Sequence, residues 1–342
     1  MKQKKINNYW LDRAKQRTLE DIRDTEHVIK LVEAQYRKSL KQIEKEIAML
    51  FYRYAEDNEL DYSLATKLLT SNEYKDFRFD LAEYMKLIDD PNILLELNTL
   101  SAKSRITRLE KSFFEVQKQV DEVYLFQYEQ VENLMEKTVK DNYYKTLFDL
   151  GVGESIYKNN FHRLTKAEII KEFSRPWSGK NFSQRLWKNR TKLKEALEEE
   201  IIQAAIQGTN TQAAAKRLME KFDVSKKTAG RLIHTEQTYF SSIGSKKAYT
   251  EMKVDKYIYI ATLDTRTSEI CAELDHQVFD IEEGQPGLNM PPMHPRCRST
   301  TAPYRSELKG TRTARDKDNN SVKVDKSLSY KEWYKKYVEK GE

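Results

Sequence analysis

Residues 18–57, TLEDIRDTEHVIKLVEAQYRKSLKQIEKEIAMLFYRYAED, contain neither glycine nor proline. Ile22, Ile29, Tyr36, Ile43 and Leu50 recur every seven residues, and Leu40, Ile47 and Tyr54 complete a 4-3-4-3 spacing. That is the seam of a coiled coil or a long helical hairpin. Glu26 and Glu33 take earlier seam positions, so the first half of the seam should pack more loosely. A helix packed within its own chain is favoured over an intermolecular coil.

Working outward, a second long helix is expected over about 101–147. Leu109, Phe113, Val116, Val120 and Val123 repeat the 4-3-4-3 spacing, which then slips to Tyr124, Tyr128, Val131 and Met135. Two long amphipathic helices in one segment imply a helical stalk or bundle. Residues 61–98 read as shorter helices ending near Asp89-Asp90-Pro91, because proline disfavours helix in the residue before it. Gly151-Val152-Gly153 is the first clear punctuation and sets an expected boundary. Only 10 Gly and 7 Pro occur in 342 residues, which agrees with long helices and few tight turns.

The net charge of +6 conceals its distribution. Residues 1–17 carry +5, 18–157 carry −9, 158–194 carry +9 and 195–342 carry +1. A concentrated basic block suits a polyanion or an acidic protein surface. No run of 18 uncharged apolar residues is present, so no membrane span is expected. The basic start lacks the apolar core of a secretory signal. Two cysteines cannot build a disulfide framework, which points to folding in a reducing compartment.

The basic block interleaves charge with Phe161, Phe173, Trp177, Phe182 and Trp187, and Arg175–Gly179 reads as a turn. Arg185, Lys188, Arg190, Lys192 and Lys194 are its candidate DNA contacts, since lysine and arginine neutralise phosphates. The structural alternative anchors the aromatics in a core and leaves the charges solvated. A helix at 195–207 precedes Gly208 and the candidate N-cap Thr209. Helices at 210–222 and 226–250, broken at Asp223-Val224-Ser225, outline a helix–turn–helix. The outline is weak evidence for groove readout, because two helices joined by a short turn are common.

Beyond Met252 the pattern changes. Lys256–Thr262 is a β-branched and aromatic run read as a buried strand. Residues 268–275 fit one or two helical turns, 277–279 a short strand, 281–295 a Gly/Pro-rich loop, and 298–302 a returning strand. From Arg305 the chain is polar and poorly patterned, expected to be a flexible tail, with a short helix at 330–337. The expected organisation is a long-helix region over 1–150, a basic connector over 151–200, a compact module over 201–304 and the tail over 305–342. The fold class is mainly α, with a small α+β C-terminal module.

The chemistry-bearing residues cluster at 231–304. Arg231, Thr235 and Glu236 share one helix. Asp264 and Arg266 follow the strand, and Cys271 and Asp275-His276 come next. Pro291-Pro292-Met293-His294-Pro295-Arg296-Cys297-Arg298 closes the loop. His294 and Cys297 have H-x-x-C spacing, Cys271 offers a third ligand, and Asp264, Asp275 or His276 a fourth. Thiolate with imidazole favours zinc. The competing reading is two reduced cysteines packed in a small core. Glu236, Asp264 and His294 also suit a metal-dependent nuclease or a general acid–base pair. Acid–arginine pairs such as Asp264 with Arg266, or Glu236 with Arg298, equally hold loops together, and that reading is preferred. A Cys297–His294 nucleophile lacks an oxyanion-hole signature or an orienting acid. The H-x-E and P-C-x-x-C pattern of zinc deaminases is absent.

Over roughly 200–304 this pattern resembles the phage head-morphogenesis family, the Mu F-like minor head proteins of tailed bacteriophages. Arg231, Thr235, Glu236, Asp264, Arg266, Thr267, Cys271, Leu274, Asp275, Pro292, His294, Pro295, Cys297 and Arg298 carry the resemblance. The family usually has glycine after Leu-Asp, where this chain has His276, implying a different turn or an added ligand. The resemblance implies a non-enzymatic minor capsid component that associates with the portal and other head proteins during procapsid assembly in the host cytoplasm. It implies a place inside the virion head, in few copies, contacting packaged double-stranded DNA or aiding its ejection. The motif residues Arg231, Thr235, Glu236, Asp264, Arg266, Asp275 and Arg298 would act as a structural lock. A nuclease or other enzyme acting on nucleic acid is the alternative.

Overall fold

The computed structural model describes residues 2–57, 100–154, 161–207, 211–304, 311–315, 320–325, 328 and 330–336. The helices expected over 61–98 and the N-cap at Thr209 lie outside the described residues, as do the side chains of Ile47, Leu50, Tyr54, Leu109 and Phe113. In chain order the elements are α1 (Lys2–Asp57), α2 (Leu100–Glu154), α3 (Lys166–Phe173), α4 (Phe182–Gln207) and α5 (Thr211–Glu251). Then come β1 (Lys256–Ile260), α6 (Glu269–Leu274), β2 (Val278–Asp280), β3 (Thr300–Tyr304), β4 (Thr311–Arg315), β5 (Ser321–Asp325) and α7 (Tyr330–Tyr334). The protein is mainly α, with a long N-terminal helical region and a small C-terminal strand module. No described helix is long and apolar enough to cross a membrane.

The chain forms two compact units. One contains Met1–Lys30, Glu129–Ser183 and Ala229–Glu342; the other contains Leu31–Tyr128 and Gln184–Thr228.

Helix α1 begins at Lys2 rather than near residue 18, and its buried stripe is not the expected heptad. Trp10, Ala14, Arg17, Asp21, Thr25, Val28, Val32, Tyr36, Ser39 and Ile43 are buried, in a spacing that repeats every eleven residues. Such a repeat gives about 3.67 residues per turn, nearer the 3.6 of a straight helix than the 3.5 of a heptad. Tyr36 and Ile43 belong to both patterns, whereas Ile22 and Ile29 are only half-buried. On α2, Val116, Val120, Val123, Tyr124, Val131 and Met135 are buried as expected.

In the first unit the polar members of the α1 stripe are paired. Arg13 (2.7 Å) and Arg17 both bond the Asp149 carboxylate. Asp21 accepts from Asn142 Nδ2 at 2.9 Å and Ser241 Oγ at 2.8 Å. Gly244 of α5 lies so close to α2 that a Cβ there would sit 2.6 Å from the Val139 carbonyl oxygen. Helix α2 runs through Gly151 and Gly153 to Glu154. Each helical glycine costs roughly 1 kcal/mol relative to alanine; the adjoining Leu150 is fully buried with Trp10, Tyr249 and Tyr257, which offsets the cost.

The strand module belongs to this unit. Strand β1 is central in an antiparallel β2-β1-β3 sheet, with Tyr257 opposite Phe279 and Pro303. Both faces are covered, as its apolar run predicted. Ile258 and Ile260 pack on Leu11 and Ala14 of α1 and on Ala302, while Tyr259 packs with Cys271 and Cys297. The region expected to be an unpatterned tail holds the β4–β5 hairpin and α7. Trp333 of α7, 0% exposed, packs with Leu263, Ala272, Ala314 and Val324. Its few apolar residues fall on one face of each element, too short a pattern to stand out in sequence.

In the second unit, α5 continues without a break through Asp223-Val224-Ser225, so no helix–turn–helix forms there. None of the three is glycine or proline. Asp223 pairs with Lys226 and Lys227 one turn on, and the Ser225 hydroxyl lies 3.0 Å from those of both Tyr36 and Tyr124.

Candidate functional site

The turn after β1 is built by Asp264. Its Oδ1 accepts the Arg266 N–H at 3.0 Å and lies 3.2 Å from the Thr267 hydroxyl, an Asx-type turn. Its carboxylate then takes a two-pronged bond from Arg298, at 2.5 and 2.8 Å, across 34 residues of sequence. Burial would raise the Asp264 carboxyl, but the hydrogen bonds and charge of Arg298, with Arg266, hold it below its ordinary range. The Asp264 carbonyl accepts from Tyr330 of α7 at 3.2 Å, and Arg315 of β4 bonds the Leu263 carbonyl at 3.0 Å.

Ser268 caps α6 by accepting the Cys271 N–H, which turns the Cys271 side chain inward. After α6, Asp275 Oδ1 accepts the Ala261 N–H at 2.8 Å. His276 then takes a left-handed φ of +66° and donates its N–H to Tyr259 O at 2.9 Å. Glycine adopts that conformation without strain, so a glycine would fit this turn as well.

The Pro/Gly-rich loop brings His294 and Cys297 back to Cys271. Cys271 Sγ lies 3.2 Å from His294 Nε2 and 3.7 Å from Cys297 Sγ, and the three donor atoms lie within 4.8 Å of one another. Among the described residues this is the group able to hold a metal ion, and His276 is not part of it. Tyr259 Oη donates to Cys271 Sγ at 3.2 Å. The contact with Cys271, helped by backbone N–H groups, lowers the Cys297 thiol, and the same contact, with burial, pushes the Cys271 thiol up.

Helix α5 holds the loop from the other side. Thr235 Oγ1 accepts the Arg296 N–H at 3.1 Å, and the Thr238 hydroxyl donates to the Cys297 carbonyl at 2.9 Å. Sequence reading found Thr235 and missed Thr238, although a threonine three residues on shares its helix face. Arg231 is exposed and contributes its carbonyl to the Thr235 hydroxyl. Glu236 is 0% exposed and accepts Trp177 Nε1 at 3.0 Å; Arg298 is bonded to Asp264. Trp177 also stacks on Tyr239 at 4.9 Å, an anchoring role for at least this aromatic of the basic block.

The five basic candidates divide. Arg190 and Lys194 both pair with Asp121, at 2.5 and 2.7 Å, and Arg190 also lies over the Trp187 ring. Lys188 and Lys192 are exposed, and Arg185 shares their face of α4 by its spacing.

These features define a mainly helical protein with a small Cys/His-bearing strand module, its motif loop pinned by hydrogen bonds and an ion pair. Residues 195–302 match the family described as phage Mu protein F like protein. Over 321 residues, 90% of the chain, the sequence is 25% identical to an NAD(+)–arginine ADP-ribosyltransferase of Enterococcus faecalis. The chain spans 57% of that protein's length. No solved structure matches.

Proposed function

We propose that the protein is a minor head protein of a tailed phage, associating with the portal during procapsid assembly and carried inside the head against packaged DNA. The observation that supports this reading is the family match over 195–302. It coincides with the loop that Thr235, Thr238, Asp264 and Arg298 hold in place. Such a module presents a fixed surface to other head proteins and needs no chemistry of its own. DNA contact is assigned to the exposed face of α4 carrying Arg185, Lys188 and Lys192, while Arg190 and Lys194 serve the fold through Asp121.

Mass spectrometry of purified virions, together with co-purification with the portal protein of the same phage, tests the assignment. Absence of the chain from virions refutes it. Charge reversal at Lys188 and Lys192 should weaken salt-dependent, sequence-independent DNA binding; unaltered affinity removes DNA from the proposal.

The transferase name of the relative is the observation favouring an enzyme instead. Incubation with NAD+ and an arginine-rich acceptor decides it: nicotinamide release dependent on the protein would replace the head-protein reading. A parallel incubation with DNA and divalent ions tests the nuclease alternative.

A further inference from the structure

We propose that Cys271, His294 and Cys297 form a zinc site with three protein ligands, which clamps α6 to the 294–297 loop and takes a water molecule as its fourth ligand. The spacing of the donors carries the inference. Zinc–thiolate bonds of about 2.3 Å at tetrahedral angles separate two sulfurs by roughly 3.8 Å; Cys271 and Cys297 stand 3.7 Å apart. A disulfide would require the sulfurs to close to about 2.05 Å.

The histidine is set up in the same sense. Its Nδ1 lies 2.9 Å from the Pro295 carbonyl oxygen, a contact that only a protonated Nδ1 can turn into a hydrogen bond. The tautomer so fixed leaves the Nε2 lone pair directed at Cys271 Sγ, 3.2 Å away. A backbone carbonyl on the far nitrogen is the usual second partner of a zinc-ligating imidazole. Tyr259 Oη, 3.2 Å from Cys271 Sγ, supplies a hydrogen bond to one thiolate.

Both cysteines are 2% exposed, which disfavours a nucleophile that must meet a substrate. His276 is outside the group, and Asp275 already accepts the Ala261 N–H. On binding, each cysteine forms one zinc–sulfur bond as the thiolate, any proton it still carries going to solvent, and His294 adds neutral. The site rests on these three residues and stands or falls separately from the head-protein reading.

Full-length protein, prepared under reducing conditions without chelator, should contain one zinc per chain by elemental analysis. After zinc removal, cobalt(II) should bind with the visible bands of a tetrahedral ion and the charge-transfer absorption of thiolate ligation. Cys271→Ser, Cys297→Ser and His294→Ala should each abolish the cobalt spectrum, and His276→Ala should leave it unchanged. Zinc well below one per chain, a six-coordinate cobalt spectrum, or a Cys271–Cys297 disulfide in protein handled without air would overturn the proposal. If the cysteine variants fail to fold, the wild-type zinc content and cobalt spectrum decide alone.

Discussion

Replacing Arg298 by alanine tests the lock directly. The Asp264 side chain is 8% exposed and that of Arg298 29%. Removing one partner of a buried ion pair costs about 3–5 kcal/mol. Here Arg298 is partly solvated and Asp264 keeps the Arg266 N–H, so the expected cost of Arg298→Ala is about 2–3 kcal/mol. At about 2–4 °C per kcal/mol for a unit of this size, melting should fall by roughly 4–12 °C. Calorimetry of wild type, Arg298→Ala, Asp264→Asn and the double variant measures the coupling. The double variant should be more stable than the sum of the single losses implies, because neutralising Asp264 removes the stranded charge. The pH dependence fixes the sign. Asp264 has a depressed folded-state pKa, so the ion pair stabilises above the ordinary carboxylate range and is lost as pH falls through the folded value. The gap between wild type and Arg298→Ala should be full at neutral pH and close in acid. Additive losses, or a gap independent of pH, would refute the lock.

Asp21 should behave in the opposite way. Burial raises its carboxyl from 3.8 to about 6, so its contribution is fully favourable below 3.8 and is lost as pH rises through 6. Asp21→Asn keeps an acceptor for Asn142 and Ser241 and should recover up to about 3 kcal/mol at neutral pH; a melting profile between pH 4 and 7 as steep as wild type would count against it. Gly244→Ala drives a Cβ to 2.6 Å from the Val139 carbonyl oxygen and should destabilise by about 1–3 kcal/mol through overpacking, measured by urea unfolding. At His276, glycine should stay within about 1 kcal/mol of wild type while valine costs about 2 kcal/mol more than glycine, because a β-branched residue resists positive φ; equal stability of the two would show that the turn does not impose the conformation.

The strand module was largely legible in sequence because its signals are chemical. The β-branched run at β1 reads as a buried strand, the segment 268–275 as a short helix, and the H-x-x-C spacing draws His294 and Cys297 to one side of a turn. The helices were legible in extent but not in detail. A search for apolar periodicity selects Ile22 and Ile29, yet the stripe that is buried passes through Arg17, Asp21, Thr25 and Ser39. Arg17 and Asp21 are tolerated inside because Asp149, Asn142 and Ser241 meet them, and those partners lie more than a hundred residues away. The break expected at Asp223–Ser225 failed for a related reason: Ser225 favours a turn by itself, but two tyrosine hydroxyls hold it in a helix. Trp177 and Tyr330 were legible as an aromatic of the basic block and the start of a short helix, but not as partners of the site, since each reaches it through a residue 59 or 66 positions off.

The packing of β1 on α1 also orders events in time. Trp10, Leu11 and Ala14 are synthesised first, and their partners Tyr257, Ile258 and Ile260 follow nearly 250 residues later. At about 5–20 residues per second, that apolar face waits roughly 12–50 s for its cover. During that interval it is a target for chaperones and for other unfinished chains. A tryptophan fluorescence change at Trp10 should therefore lag translation, and its timing would report completion of the module rather than formation of the helix that carries it.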